Sequence, residues 1–220
     1  MAKLLKRVSL IFILSFITMS AMLVSGASAS YRGYRVTAIN EDHTGFYLGT
    51  ALGADLPTGP DEDGFSAGFG WTIRLGYQFI RNLAIELGYH QSVGVFSSQG
   101  IKGTWSFIQL PFIDLKPIIP LSPVSDLYFI LGIANTGFAR ATSNLSSNGT
   151  SSSFATGFDL GIGYEGYVTN HISLGGELIY HNLTNNKFSV GGGGLSGTIT
   201  TPYNLNMSFT SLIFSFLYHF

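Results

Sequence analysis

The feature that most constrains this chain is an alternation of apolar and polar residues with a period of two. It is clearest over residues 68–79, where every second position is aliphatic or aromatic and the positions between are Gly, Thr, Arg or Gln. The alternation returns over residues 83–90, after a link of only three residues. A period of two is typical of strands with one apolar and one polar face, and so short a link predicts a hairpin.

Six further segments bring the predicted number of strands to eight. A second hairpin spans residues 154–168 and 172–182, and strands are also predicted over residues 44–54 and 207–220. The last two, over residues 105–115 and 127–134, are apolar on both parities, so their faces stay unassigned. After residue 29 no stretch has 18 consecutive apolar residues, which excludes a helical membrane protein.

The predicted connections alternate in length. Residues 80–82 and 169–171 form short turns, whereas residues 55–67, 92–104, 135–153 and 183–206 form long loops. The segment 116–126 contains Pro117, Pro120 and Pro123, and because proline cannot donate to a sheet we predict a stiff turn there and no strand. Short turns at one end and long loops at the other are typical of an up-and-down barrel in an outer membrane.

Composition indicates which face of these strands meets lipid. A soluble barrel hides its apolar face inside, but here the opposite face carries Gly, Thr, Gln, Arg, Glu and His with few bulky residues. We therefore predict an all-β fold over residues 44–220, an eight-stranded antiparallel up-and-down transmembrane β-barrel with a polar lumen. Aromatic residues near the strand ends are expected to form interfacial girdles: Trp71, Tyr77, Phe79, Tyr89, Tyr164 and Tyr180.

The first 29 residues predict a signal peptide. Three basic residues precede an apolar run over residues 8–24, which ends at Ala27-Ser28-Ala29. A membrane-spanning helix is the alternative, but Ser and Thr dilute a run of only 17 residues. Residues 30–43 are then a periplasmic N-terminal segment, or alternatively the start of a longer first strand. The exported chain would carry a net charge of −4, and the low charge of the sequence argues against a nucleic-acid partner. The sequence contains no cysteine, which excludes any thiolate site.

The last strand carries the most specific signal. Its aromatic residues alternate with Ile213, Ser215, Leu217 and His219, and the chain stops at a phenylalanine. This resembles the terminal strand of bacterial outer-membrane barrels, whose final aromatic residue is read by the barrel-assembly machinery. The residues that would form this assembly signal are Phe214, Phe216, Tyr218 and Phe220.

Taken together, these features resemble the small OmpA-type barrel superfamily, which includes OmpX and the opacity-like proteins. The resemblance covers residues 44–220 and implies a monomer in a Gram-negative outer membrane, surrounded by lipid and lipopolysaccharide. We expect no peptidoglycan-binding domain. The function that we expect is non-enzymatic: support of envelope integrity, and presentation of extracellular loops for adhesion or contact with a host or surface ligand.

The predicted hairpins place charged residues in the lumen. Arg74 and Glu86 fall almost opposite each other, where an ion pair would compensate both charges. Asp159 falls opposite His181, and Glu165 lies diagonal to Glu177. Two interpretations stay open: a closed polar plug, or a small cation-preferring pore lined by carboxylates. Nine lumen glycines favour the pore, because they leave space beside the long side chains: 49, 53, 70, 76, 88, 157, 161, 163 and 175.

Catalytic and metal sites have weaker support. His90-Gln91-Ser92 matches the His-x-Ser spacing of the lipid A deacylases, but no outward-facing carboxylate is apparent near it. The five histidines, at 43, 90, 171, 181 and 219, show no ligand spacing, so neither a metal nor a cofactor is expected.

The loops are the remaining candidates for a binding site. The first loop has an acidic tip, formed by Asp55, Asp61, Glu62 and Asp63. The third loop is polar and uncharged over residues 143–153.

Overall fold

The strands close into a single barrel. The computed structural model describes residues 43–59, 64–98, 101–142, 150–191 and 200–220. Each strand pairs antiparallel with its neighbour in sequence, and β1 pairs with β8. The strands are β1 (Gly45–Thr58), β2 (Gly68–Ile80), β3 (Leu83–Ser98), β4 (Ile101–Ser122), β5 (Ser125–Thr142), β6 (Thr150–Tyr167), β7 (Ile172–Gly191) and β8 (Thr200–His219). The predicted eight-stranded fold is confirmed.

Several predicted features fall outside the described residues. The signal peptide over residues 1–29 is one, and all of the N-terminal segment except His43 is another. The same holds for Asp61, Glu62 and Asp63 of the predicted acidic tip, and for residues 143–149 of the third loop. Across the part of the chain that the structure describes, no helix combines the length and the hydropathy needed to cross a membrane.

The alternation sorts the side chains onto the two faces of the barrel. On β2, Ile73 and Leu75 are 50% and 46% exposed, whereas Arg74 between them is 2% exposed. Among the described side chains, every strand presents exposed apolar residues on its outward face, and the inward face carries the buried charged residues. Only a hydrocarbon environment makes such an outer surface favourable, since water would meet a continuous apolar belt.

Aromatic residues on the outer face gather near the two ends of the apolar belt. Trp71 contacts Tyr89 with their ring centroids 5.0 Å apart. Towards the other end of β2, the Tyr77 ring lies 4.7 Å from that of Phe46 and 5.0 Å from that of Phe79. Two such groups, one near each end of the same strand, are typical of the girdles that sit at the membrane interfaces.

The prediction of a proline-rich turn over residues 116–126 is wrong. β4 continues to Ser122, and only residues 123–124 separate it from β5. Pro117 pairs with Leu83, the first residue of β3, so beyond Pro117 one side of β4 has no strand neighbour. Proline is tolerated at such an edge, because no ladder bond to a neighbour is lost there.

A bulge explains why β4 is apolar on both parities. Its pairing shifts register between Gln109 and Phe112, and Leu110 and Pro111 both face outward. Inward residues are therefore odd-numbered before the bulge, such as Trp105, and even-numbered after it, such as Lys116. The extra residue reverses the faces within one strand.

The four loops are shorter than predicted, because the strands extend beyond the apolar belt. β3 and β4 stay paired up to Ser98 and Ile101, and β7 and β8 up to Gly191 and Thr200. The alternation of apolar and polar residues ends at the edge of the apolar belt. Backbone pairing continues beyond it, through Ser, Thr, Asn and Gly residues. This end of the barrel is called the loop end below. The opposite end, with the three short turns and the carboxyl terminus, is called the turn end.

Candidate functional site

The middle of the lumen holds a network of four charged side chains and two tyrosines, called here the central network. The Arg74 guanidinium donates to Glu177 through both terminal nitrogens, at 2.6 and 3.0 Å, and to Glu86 at 3.2 Å. Lys116 Nζ donates to Glu86 Oε1 at 3.0 Å. Each glutamate also accepts a hydrogen bond from a tyrosine hydroxyl: Tyr47 donates to Glu86, and Tyr128 donates to Glu177.

Charge balance lets the central network exist away from water. Arg74 and Lys116 face Glu86 and Glu177, so two cations meet two anions. The Lys116 ammonium also lies 3.8 Å from the centroid of the Tyr128 ring, a cation–π contact. Each charge is thus desolvated beside a partner, which is the condition for burying it at tolerable cost.

A second polar group lies towards the turn end. Ser173 Oγ donates to Glu165 Oε1 at 2.5 Å, and His219 Nε2 lies 3.1 Å from the same oxygen. Tyr167 donates to Asp126 at 3.1 Å. These contacts tie β5, β6, β7 and β8 together inside the barrel, and sequence reasoning had placed only Glu165 among them.

A third group lies between the central network and the loop end. It is called the histidine–aspartate cluster, and its members are Asp55, His90, Asp159, His181 and Ser211. His181 Nδ1 lies 2.8 Å from Asp159 Oδ1, and His181 Nε2 lies 2.8 Å from Ser211 Oγ. Ser211 donates to Asp55. His90 Nε2 is 3.2 Å from Asp55 Oδ2, and the two imidazole rings stack with centroids 5.5 Å apart.

One member of the histidine–aspartate cluster, Asp55, is placed differently from the prediction, and the meeting of two others, His90 and His181, is not predicted. Asp55 is assigned by the sequence to an exposed loop tip, but β1 reaches Thr58, so Asp55 points inward and is fully buried. His90 and His181 lie on β3 and β7 at the same height in the barrel, although 91 positions separate them. Spacing along the chain cannot reveal such a pair. Strand parity combined with register is the signal that would have found it.

The chain Asp159–His181–Ser211 has the hydrogen-bond order of a hydrolase triad. However, the Ser211 side chain is fully buried and its hydroxyl donates to the Asp55 carboxylate. The His-x-Ser motif is not placed for catalysis either, because His90 and Ser92 both point into the lumen and are buried. Neither serine faces a surface from which a substrate approaches, and geometry therefore gives no support for nucleophilic catalysis.

An apolar cluster closes the lumen at the loop end. Phe209 lies at its centre, with its ring 4.3 Å from that of Phe107 and 5.3 Å from that of Trp105. Its remaining members, called with these three the aromatic cap, are Phe96, Phe138 and Leu183, with Phe65 packed against them. The prediction that the lumen has few bulky residues is wrong at this level, since strand β4 supplies Trp105 and Phe107 from the stretch whose faces could not be assigned.

The lumen glycines are not open space. A Cβ added at Gly76 would meet the Tyr47 ring, and one at Gly163 would meet the Tyr128 ring. Gly49 is covered by Leu217 and Gly70 by Asp55 in the same way. At these four positions a side chain from a neighbouring strand occupies the room beside the glycine, whereas at Gly53, Gly157 and Gly161 the nearest atom belongs to the backbone of a neighbouring strand. The glycines that favour a pore in the sequence analysis are therefore positions whose small size allows other residues to pack inside the lumen.

The lumen is nevertheless rich in carboxylates. Among the described residues, seven buried carboxylates face two buried permanent cations, Arg74 and Lys116. Sequence reasoning had found four of the seven, Glu86, Asp159, Glu165 and Glu177; the structure adds Asp55, Asp114 and Asp126. Asp114 Oδ1 is buried without a hydrogen-bond partner in the part of the chain that is described. This excess of negative charge favours cations over anions anywhere in the interior.

The proposed assembly residues lie on the outside of the barrel. Phe214, Phe216 and Tyr218 on β8 are lipid-facing, and Phe220 just beyond it is 72% exposed. The Phe220 backbone N–H donates to the Phe46 carbonyl, which joins the end of the chain to β1. The terminal side chain therefore has little packing within this barrel.

Comparisons with known proteins agree with this architecture. A family model described as "Outer membrane protein beta-barrel domain" matches residues 16–220. Neisserial surface protein A is 15% identical, with a TM-score of 0.59 over 80% of this chain and 98% of that one. Ail, the attachment invasion locus protein of Yersinia pestis, is 13% identical, with a TM-score of 0.51 over 80% and 99%.

A third solved structure extends the comparison. The outer membrane protein OprG from Pseudomonas aeruginosa is 13% identical, with a TM-score of 0.54 over 82% of this chain and 99% of that one. Identities this low show a shared fold alone. No curated protein matches the chain in sequence.

Proposed function

This chain belongs to the outer membrane protein beta-barrel domain family, and we propose that it is a non-conducting surface protein of the outer membrane. Its role is to support envelope integrity and to present its extracellular hairpins for adhesion or contact with a host. One observation carries this proposal: the lumen is occupied by side chains from the turn end to the aromatic cap.

The packed lumen supports a scaffold better than a channel. Conduction needs a continuous wet path with weak binding sites along it. Here the central network crosses the barrel at mid-height, and the aromatic cap covers the interior above it. A side chain that carries two or three charged hydrogen bonds gives these up only at a cost of several kcal/mol. A barrel of this kind is a rigid support for whatever it presents outside.

The loop end is the surface available for binding. The β5–β6 hairpin remains paired to Ala141 and Thr150, and the β7–β8 hairpin to Gly191 and Thr200. These positions lie well beyond the outer aromatic group of Trp71 and Tyr89. Paired strands hold the connecting segments away from the membrane, and binding residues on rigid barrels are found on such segments.

Two of the similar structures bear names that fit this role, one a surface protein and one an attachment invasion locus protein. The proposed environment follows from the family: outer-membrane lipid around the belt, lipopolysaccharide at the loop end and the assembly machinery during insertion. The proposal also takes the protein as a monomer, with the signal peptide removed on export.

The test replaces the two hairpin tips. Residues 143–149 and 192–199 are each exchanged for a two-residue Asn-Gly turn, which keeps the paired strands below them. Bacteria that carry each version are compared for binding to host cells and for sensitivity to detergent. The matched control exchanges the turn at residues 81–82, at the opposite end. Loss of binding or of detergent resistance with the tip variants alone is expected; unchanged behaviour of both tip variants would overturn the proposal.

A further inference from the structure

The histidine–aspartate cluster contains two buried polar atoms without hydrogen-bond partners among the described residues, Asp55 Oδ2 and His90 Nε2. They face each other at 3.2 Å, the distance of an ion pair, and neither atom has another polar partner among the described residues. A buried carboxylate oxygen and a buried ring nitrogen that have only each other leave further hydrogen-bonding capacity unused, which is costly away from water. Their separation matches that of two ligands on one tetrahedral zinc ion, about 3.3 Å for bonds of about 2.0–2.1 Å.

A third side chain converges on the same point. Asp55, His90 and His181 each offer one ligand atom, and these three atoms lie within 4.8 Å of one another. His181 Nδ1 is held by Asp159, which leaves Nε2 as the atom that faces Asp55 and Ser211. All three side chains are buried, so no bulk water competes for the position.

The outer contacts orient the two imidazoles as metal ligands. Asp159 holds His181 Nδ1 at 2.8 Å and itself accepts from Gln109 Nε2 at 2.9 Å. Thr72 Oγ1 lies 2.9 Å from His90 Nδ1. In metalloproteins the second ring nitrogen of a ligating histidine is held in this way by a carboxylate or another polar group, which directs the free nitrogen to the ion.

From this geometry we propose that the barrel binds one divalent transition-metal ion of the zinc class in its lumen, through Asp55, His90 and His181. Two imidazoles and one carboxylate are a donor set that suits zinc, copper or nickel better than calcium or magnesium. The Ser211 hydroxyl, beside both Asp55 and His181, stands next to the remaining coordination position. The ion would link β1, β3 and β7 and so brace the interior just below the aromatic cap.

The site lies beneath Phe107, whose ring centroid is 5.7 Å from that of His90 and 5.6 Å from that of His181. The aromatic cap therefore covers the site, and loading is tested by two routes. The full-length chain is folded into detergent micelles either with Zn²⁺ present or with Zn²⁺ added afterwards, and free metal is then removed by gel filtration. Bound zinc is counted by mass spectrometry, and Co²⁺ in place of zinc reports the ligand field through its visible absorption.

We expect one zinc per chain by at least one route. Asp55→Asn, His90→Gln and His181→Gln should each remove it, and Asp159→Asn should lower the affinity about 10–100-fold through loss of the outer contact. The matched control is His219→Gln, which removes another buried imidazole beside a carboxylate, at the turn end, and should leave the zinc content unchanged. Heat-modifiable gel migration verifies that each variant has folded.

Three results would overturn the proposal. One is a folded wild-type protein that retains no zinc by either route. Another is zinc retained by the folded His90→Gln and His181→Gln variants. The third is zinc lost equally from His219→Gln or from His171→Gln, a variant of the exposed histidine in the turn between β6 and β7. The inference does not depend on the proposed surface role, since metal content is measured without any binding or envelope assay.

Discussion

Arg74 and Glu177 are 103 positions apart, yet their side chains form a two-pronged ion pair across the lumen, at 2.6 and 3.0 Å. They stand on β2 and β7, which are separated by β1 and β8 around the wall. The pair therefore exists only when the barrel has closed. Parallel N–H···O bonds between a guanidinium and a carboxylate fix both distance and orientation, so this contact ties opposite walls together.

Removing Arg74 should destabilise the barrel strongly. Arg74→Met leaves Glu86 and Glu177 buried with only Lys116 to balance them, and we expect a loss of about 3–5 kcal/mol in the free energy of unfolding. Guanidinium unfolding in lipid vesicles measures the loss. Lys102→Met removes the same charge from an exposed position, where even an ion pair contributes at most about 1 kcal/mol, so stability should change by no more than that. Similar losses in the two variants would contradict the assigned role of the central network.

The filled lumen predicts that its glycines resist enlargement. Gly163→Ala places a methyl group against the Tyr128 ring, which also carries the hydrogen bond to Glu177, and should cost about 1–3 kcal/mol. Gly166→Ala on the same strand is the control, because its nearest neighbour would lie at 3.8 Å. The same unfolding measurement applies. If Gly163→Ala were as stable as the control, the lumen beside Gly163 would contain free space, which would contradict the contact with the Tyr128 ring.

The lipid-facing surface predicts a dependence on depth. Leu75 lies between the two aromatic groups of β2, and Leu75→Arg should cost about 2–4 kcal/mol in lipid vesicles. Val95 is outward-facing beyond the Trp71–Tyr89 group, and Val95→Arg should cost only about 0–1 kcal/mol. Equal costs at the two positions would mean that the belt does not contact hydrocarbon as described.

The terminal phenylalanine is predicted to act during assembly and not in the folded barrel. Phe220→Ser keeps the backbone bond to Phe46 and removes a side chain that is 72% exposed. The purified variant should refold in detergent as the wild type does, while its inserted fraction in living cells should fall severalfold. Heat-modifiable migration of refolded protein and of membrane extracts measures both. A variant that fails in detergent as well would assign Phe220 a structural role.

Sequence patterns were most informative where one strand faces uniform surroundings on each side. β2 alternates from Gly68 to Gln78 and the register shift of the β2–β3 pair lies next to the turn, so the faces and the ion pair between Arg74 and Glu86 follow from parity and a short turn. Parity does not predict the faces of β4, because a bulge at residues 110–111 reverses them midway along the strand. The edge position that permits proline in β4 is likewise a property of neighbouring strand lengths, which hydropathy does not report.

Some interior contacts can likewise be predicted from local register, and others cannot. Asp159 and His181 fall opposite each other within one hairpin, so local register brings them together. The meeting of His90 with Asp55, and of both with His181, requires three strands that are distant in sequence and a closed wall. The sequence assigns Lys116 to a turn because three prolines follow it, and Asp55 to a loop because strand length beyond the apolar belt leaves no periodic signal.

The most direct test of the closed lumen is single-channel conductance of the refolded protein in a planar bilayer, with heat-modifiable migration as the measure of folding. We expect a folded barrel that gives no steady current steps at any voltage that the bilayer tolerates. Steady cation-selective steps that shrink when Glu165 and Glu177 are neutralised by Glu165→Gln and Glu177→Gln would contradict the account, because ions would then pass both the polar group at the turn end and the central network.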